Sequence, residues 1–276
     1  MIDPDRINIK IPNIQQRILP IGTSSEITKN ILMVADRLFD ATYLPNFKCK
    51  KLKTLALEAA KEIHSMNNMY SKLRDDQLRL IEEIEGQKLS NGFVLPYLED
   101  ADIYLKSFFQ RADHFIRNIF YIMREFEPGF ENLDRLRKRL TNEKEKGEQF
   151  HEFITNASPY VNFIRNTRNS IEHPSDQMRV TVSNFELDAS AQIVNPTFEL
   201  RHPRTPQPRT DLVNLLRNIV DSFLRLFADW MANLCARHAS LGNFSVGVFK
   251  TSDEVKFDEP PYSYAVLMGD QWQPIG

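Results

Sequence analysis

The stretch from Tyr97 to Phe126 constrains this chain more than any other. Leu98, Ala101, Leu105, Phe108, Phe109 and Ala112 are followed by Phe115, Ile116, Ile119, Phe120 and Met123. At roughly 100° per residue, these positions cover most of a helix's circumference. A helix that is apolar nearly all round must be wrapped by other elements, so this one is expected at the centre of a bundle. Candidate partners are legible. Leu52, Ala56, Ala59, Ile63, Met66, Tyr70 and Leu73 recur in steps of four and three, and Leu80 and Ile84 continue the face. That is a coiled-coil-like seam on a long helix over 51–86, interrupted at Gln77, which suits packing inside a bundle. Leu212, Leu216, Ile219, Phe223, Leu226, Trp230 and Leu234 form a second seam, on a helix from a cap at Thr210 to about Arg237.

The connecting stretches are shorter and more polar. INIKIP near the N-terminus alternates like a short strand, and Ser24-Ser25-Glu26 offers a cap for a helix running to about Tyr43. Asn91-Gly92 with Pro96, and Glu127-Pro128-Gly129, read as turns. A charged amphipathic segment follows over 131–147; its basic half, Arg135, Arg137, Lys138 and Arg139, could contact phosphates, but a solvated helix face is the commoner outcome and the acidic residues that follow dilute the patch. After Pro174 the period becomes that of strands, in RVTVS (179–183), Phe185–Leu187, Ala191–Ile193 and Thr197–Leu200. RHPRTPQPRT (201–210), with three prolines and three arginines, reads as a linker. FSVGVF and YSYAVLM near the C-terminus are two further strands, expected to join the earlier ones in one sheet.

The expected fold class is therefore mainly α, a helical bundle with a small appended antiparallel β-sheet. The expected organisation is an N-terminal extension over 1–48, the bundle over 49–240 with a β insertion at about 175–200, and a C-terminal β segment over 241–276.

Composition narrows the function classes. The chain has 276 residues, of which 42% are hydrophobic, and a formal net charge of −2, so any nucleic-acid contact must come from a local patch. Cys49 and Cys235 have no metal-ligand spacing and favour a reducing compartment. No apolar run is long enough for a membrane span and no signal-peptide pattern is present, which makes the cytoplasm the default location. Phosphate-loop, dinucleotide, zinc-protease and nucleophile-elbow motifs are absent, and neither a metal nor a cofactor is indicated.

One constellation stands out, in ASPYVNFIRNTRNSIEHP (157–174). On a helical wheel Ala157, Tyr160, Val161, Thr167 and Ile171 fall within about 60° of Ile164, and Arg168 lies at about 40°, inside the apolar stripe. A guanidinium there must be paired, or face a polar cavity or a partner. Arg165 sits at the edge of the stripe and Asn169 outside it, while Pro174 ends the helix near His173. The ordinary alternative is an Arg168–Glu172 surface ion pair, with His173 interacting with the helix dipole.

Arg168-Asn169-Ser170-Ile171-Glu172-His173 reads RNxxxH, which resembles the motif of the HEPN superfamily of helical-bundle proteins. In catalytic members the resemblance implies a metal-independent endoribonuclease, with two copies of the Arg–His pair facing each other across a homodimer. Arg168, Asn169 and His173 match the motif and are the candidate catalytic residues; Arg165, Glu172, Asp113 and His114 are candidates for lining the same cleft. The resemblance further implies an RNA substrate and, in toxin–antitoxin systems, a cognate antitoxin or regulatory protein. It also covers members that bind or scaffold without cutting, so a non-catalytic module for dimerisation, partner binding or nucleic-acid binding is the competing expectation.

Overall fold

The computed structural model describes residues 26–86, 94–142, 148–251 and 261–275. The INIKIP strand, the Ser24-Ser25 cap, the Asn91-Gly92 turn and the acidic half of the 131–147 segment beyond Asn142 lie outside these. Among the described residues there are six helices: α1 (Glu26–Leu38), α2 (Cys49–Gly86), α3 (Ala101–Phe126), α4 (Leu133–Thr141), α5 (Glu148–Glu172) and α6 (Leu212–His238). None of them is long and apolar enough to cross a membrane.

Helix α3 occupies the centre, as its apolar circumference requires. Phe108, Phe109, Ala112, Phe115, Ile119, Ile122 and Met123 are all fully buried. Helix α2 runs antiparallel to it, with Lys51 paired to Glu125 (2.7 Å) toward one end and Glu62 to Arg111 (3.2 Å) further along. Helix α6 lies alongside in the same direction, and Phe115 stacks on Phe223 with ring centroids 4.6 Å apart. Helix α5 returns antiparallel to both, through Phe109–Phe163 on one side and Tyr160–Phe223 and Phe153–Trp230 on the other. Gln77, the break in the α2 seam, is itself buried.

Several helix ends differ from the sequence reading, and α3 starts at Ala101 rather than near Tyr97. Helix α1 stops at Leu38 rather than near Tyr43, because Asp40 turns the chain by accepting from the Thr42 N–H (2.8 Å). The cap of α6 is Asp211, whose Oδ1 accepts from Asn214 N (2.8 Å), rather than Thr210. Helix α5 also begins well before Ala157 and carries Pro159 within it. The proline is exposed, so the ladder loses the bond to the Thr155 carbonyl while the ring stays clear of the core.

The strands form three antiparallel sheets: β1 (Arg179–Ser183), β4 (Thr197–Arg201) and β5 (Gln207–Asp211) in the order β1-β4-β5; β2 (Glu186–Leu187) with β3 (Ile193–Val194); and β6 (Val246–Lys250), β7 (Tyr262–Met268) and β8 (Gln271–Ile275) in that order. Residues 207–210, read as linker, therefore belong to the edge strand β5; Pro208 is tolerated there because an edge needs only one row of ladder bonds. The C-terminal strands do not join the earlier sheet. Tyr264 instead donates its hydroxyl to Leu38 O (2.6 Å) and Tyr262 to Asp229 Oδ1 (2.6 Å), tying β7 to α1 and α6. The first sheet packs elsewhere: Phe198 stacks on Phe109, and Asn184 brackets Leu98 through both its N–H and its carbonyl.

A buried ion cluster locks the end of α3. Glu127 accepts from Arg237 Nε (2.9 Å), lies 2.9 Å from His238 Nε2 and pairs with Arg139 of α4. Burial raises the Glu127 carboxyl, but the His238 hydrogen bond and the Arg237 charge outweigh it and hold the pKa below its ordinary value.

Candidate polar site between α3 and α5

The last three turns of α5 present two faces. Val161, Ile164, Thr167 and Ser170 are buried toward the bundle. Asn162, Arg165, Asn166 and Asn169, spaced i, i+3, i+4 and i+7, form a polar stripe on another face. Where this stripe meets α3, it borders a groove of about 260 Å³ that also takes in Arg168, Asp113 and Arg117.

Asp113 is the hub. Its side chain is only 4% exposed, its Oδ2 lies 2.5 Å from Arg117 Nη2 one turn along α3, and its Oδ1 lies 3.8 Å from Arg165 Nε. A buried carboxylate requires such partners, because desolvating it alone costs several kcal/mol, on the order of the whole stability margin of a domain. Arg165 is further held with its guanidinium carbon 5.8 Å above the Phe120 ring.

Arg168 is also satisfied from both sides. Its Nη2 lies 2.5 Å from Glu172 Oε2 and its Nη1 donates to Asn169 Oδ1 (3.1 Å). Glu172 additionally accepts from Gln110 Nε2 of α3 (3.3 Å). The partners explain how an arginine can sit in an otherwise apolar stripe: it is paired within its own helix and it borders the polar groove.

The structure thus brings together four of the seven residues singled out in the sequence, Asp113, Arg165, Arg168 and Asn169, around one groove. Glu172 stands beside it, bound to Arg168. His173 is exposed at the exit of α5, with its backbone N–H donating to Asn169 O (2.8 Å), and does not line the groove. His114 faces the other way, with Nδ1 3.9 Å from Glu62 Oε1 of α2. Three groove residues were missed: Arg117, Asn162 and Asn166. The asparagines were legible as a helical repeat with Arg165 and Asn169, and Arg117 as the i+4 partner of Asp113. Among the described residues, no three of His, Cys, Asp or Glu cluster as a metal site would require.

Comparison with protein-family models, with curated proteins and with solved structures finds no match to this chain.

Proposed function

We propose that the protein is a metal-independent endoribonuclease of HEPN type, acting on single-stranded RNA as a homodimer. The supporting observation is the groove itself: Arg168 and Asn169 of the RNxxxH motif border it together with two further arginines, in a chain whose net charge is −2. Such a local concentration of guanidinium groups suits a phosphodiester.

In the reaction the RNA 2′-oxygen forms a bond to the adjacent phosphorus, and the bond from phosphorus to the 5′-oxygen of the next nucleotide breaks. The products are a cyclic phosphate and a free 5′-hydroxyl. Arg168 stabilises charge developing on the phosphoryl oxygens. His173 takes the proton from the 2′-hydroxyl or delivers one to the leaving oxygen, for which imidazole is suited near neutral pH. Asn169 orients the phosphate or the histidine. A second copy of the chain supplies the second His173, so that one imidazole acts as base and the other as acid. The test is incubation of the purified protein with single-stranded RNA and with DNA of the same sequence, in EDTA. Cleavage of RNA alone, with cyclic-phosphate ends, is expected; intact RNA or cleavage of both substrates would refute the reading.

A second reading has its own support. The Arg168–Glu172 pair occupies the guanidinium within its own helix, and His173 stands clear of the groove. Both features suit a non-catalytic module that grips RNA or a protein partner through the bundle surface.

A further inference from the structure

The groove contains more binding chemistry than the Arg168 motif uses. Three guanidinium groups border it against one lining carboxylate, Asp113, and Glu172 offsets Arg168 from outside. Three positive charges less two negative ones leave an excess of one, in a chain with a net charge of −2. Asp113 and the Phe120 ring fix the Arg165 guanidinium, whose terminal nitrogens have no hydrogen-bond partner among the described residues. The Asn162 amide and the side-chain NH2 of Asn169 are likewise without one, while Asn166 donates to Thr205 Oγ1 (3.1 Å) and anchors the rim to the β4–β5 connection. Among the described residues the groove therefore offers donors for an anion that the protein does not itself use.

Its size and lining limit that anion. At about 260 Å³ it falls below the roughly 300–1,000 Å³ of pockets that enclose whole small molecules, and it is lined by polar side chains rather than apolar ones. Among the described residues no aromatic ring lines it, so they offer nothing there on which a base would stack. A single phosphate group attached to something larger fits these limits.

We propose that the Asp113-centred groove is a backbone-phosphate subsite, taking one phosphodiester of a single-stranded RNA. It sets strand register without reading bases, as phosphate contacts do. Arg165 and Arg117 are binding residues there, and Asp113 is a positioning residue that aims them. The proposal rests on the reading of the chain as RNA-directed but not on cleavage.

The test uses the full-length protein and a short single-stranded 2′-O-methyl oligoribonucleotide, which keeps the RNA backbone but lacks the attacking hydroxyl. Fluorescence anisotropy across a salt series gives affinity and its salt slope. Arg165→Gln should weaken binding severalfold and reduce the slope by about 0.7, the value for one phosphate contact on a single strand. Asn162→Asp, at an exposed position, should weaken binding with unchanged thermal stability. Arg217→Gln, on α6 and outside the groove lining, should bind like wild type. Inorganic phosphate at matched ionic strength should displace the probe no better than chloride. Absent binding by wild type, equal slopes for wild type and Arg165→Gln, or displacement by low millimolar phosphate would overturn the assignment. Binding that falls in the groove variants without any cleavage by wild type would leave the subsite standing and remove the ribonuclease reading. Cleavage with unaltered binding in those variants would do the reverse.

Discussion

Arg168 and Glu172, one turn apart on α5, are joined by a 2.5 Å ion pair, with side chains 28% and 17% exposed. This pair is the ordinary outcome of i, i+4 spacing, and it stands at the edge of a groove suited to an anion. The two facts are compatible if the pair holds the guanidinium in place and gives way in part to a phosphate.

The consequence can be measured. Glu172→Gln should cost about 1 kcal/mol or less, because a partly exposed pair contributes little. It should also strengthen RNA binding by releasing one positive charge. Thermal melting and oligonucleotide titration give the two numbers, and unchanged affinity would mean that Arg168 does not meet the ligand.

Asp113 and Arg117 should behave unequally. Removing the arginine leaves a buried carboxylate whose remaining ion-pair partner among the described residues is Arg165, at 3.8 Å. Arg117→Ala should therefore cost about 2–4 kcal/mol. Asp113→Ala leaves two arginines, each about half exposed and able to hydrate, and should cost less, about 1–2 kcal/mol. Adding Asp113→Ala to Arg117→Ala should recover stability. Simple additivity in urea denaturation would deny the carboxylate its role as hub.

The Glu127 cluster should make the fold acid-sensitive. Its folded pKa is depressed below the ordinary value of 4.5, so its contribution is fully present above that value. The contribution is lost as pH falls further, through the folded pKa. Glu127→Gln should lower stability at neutral pH and flatten the fall in melting temperature below pH 4.5. A parallel fall in wild type and variant would place the acid sensitivity elsewhere.

The helical part of this fold was legible because it rests on repetition within single segments. The apolar circle of α3 and the seams of α2 and α6 need no knowledge of partners. What was misread among the strands depends on pairing between distant segments. Pro203, Pro206 and Pro208 suggested a linker, yet an edge strand accepts Pro208 once β4 is beside it. FSVGVF and YSYAVLM alternate as strands should, but alternation does not say which strands they join. The groove divides in the same way. Arg168 signalled itself as a charge in an apolar stripe, and the Asn162–Asn169 repeat was present in the sequence. That Arg117 and Asp113 face this stripe follows only from α5 packing antiparallel to α3.

A homodimer is expected from the proposed division of labour between two copies of His173. Sedimentation at micromolar concentration should give twice the 32.2 kDa chain mass. A monomer across a wide concentration range would leave each site with a single imidazole.

The most direct measurement compares wild type, Arg168→Ala and His173→Ala on single-stranded RNA in EDTA, with melting curves for all three. Wild type should cut, each variant should lose most of its activity, and His173→Ala should melt close to wild type because its exposed side chain has no hydrogen-bond or ion-pair partner among the described residues. Equal activity in all three proteins, or none in a dimeric wild type, would contradict the proposed chemistry and leave Arg168 and His173 as structural residues of the bundle.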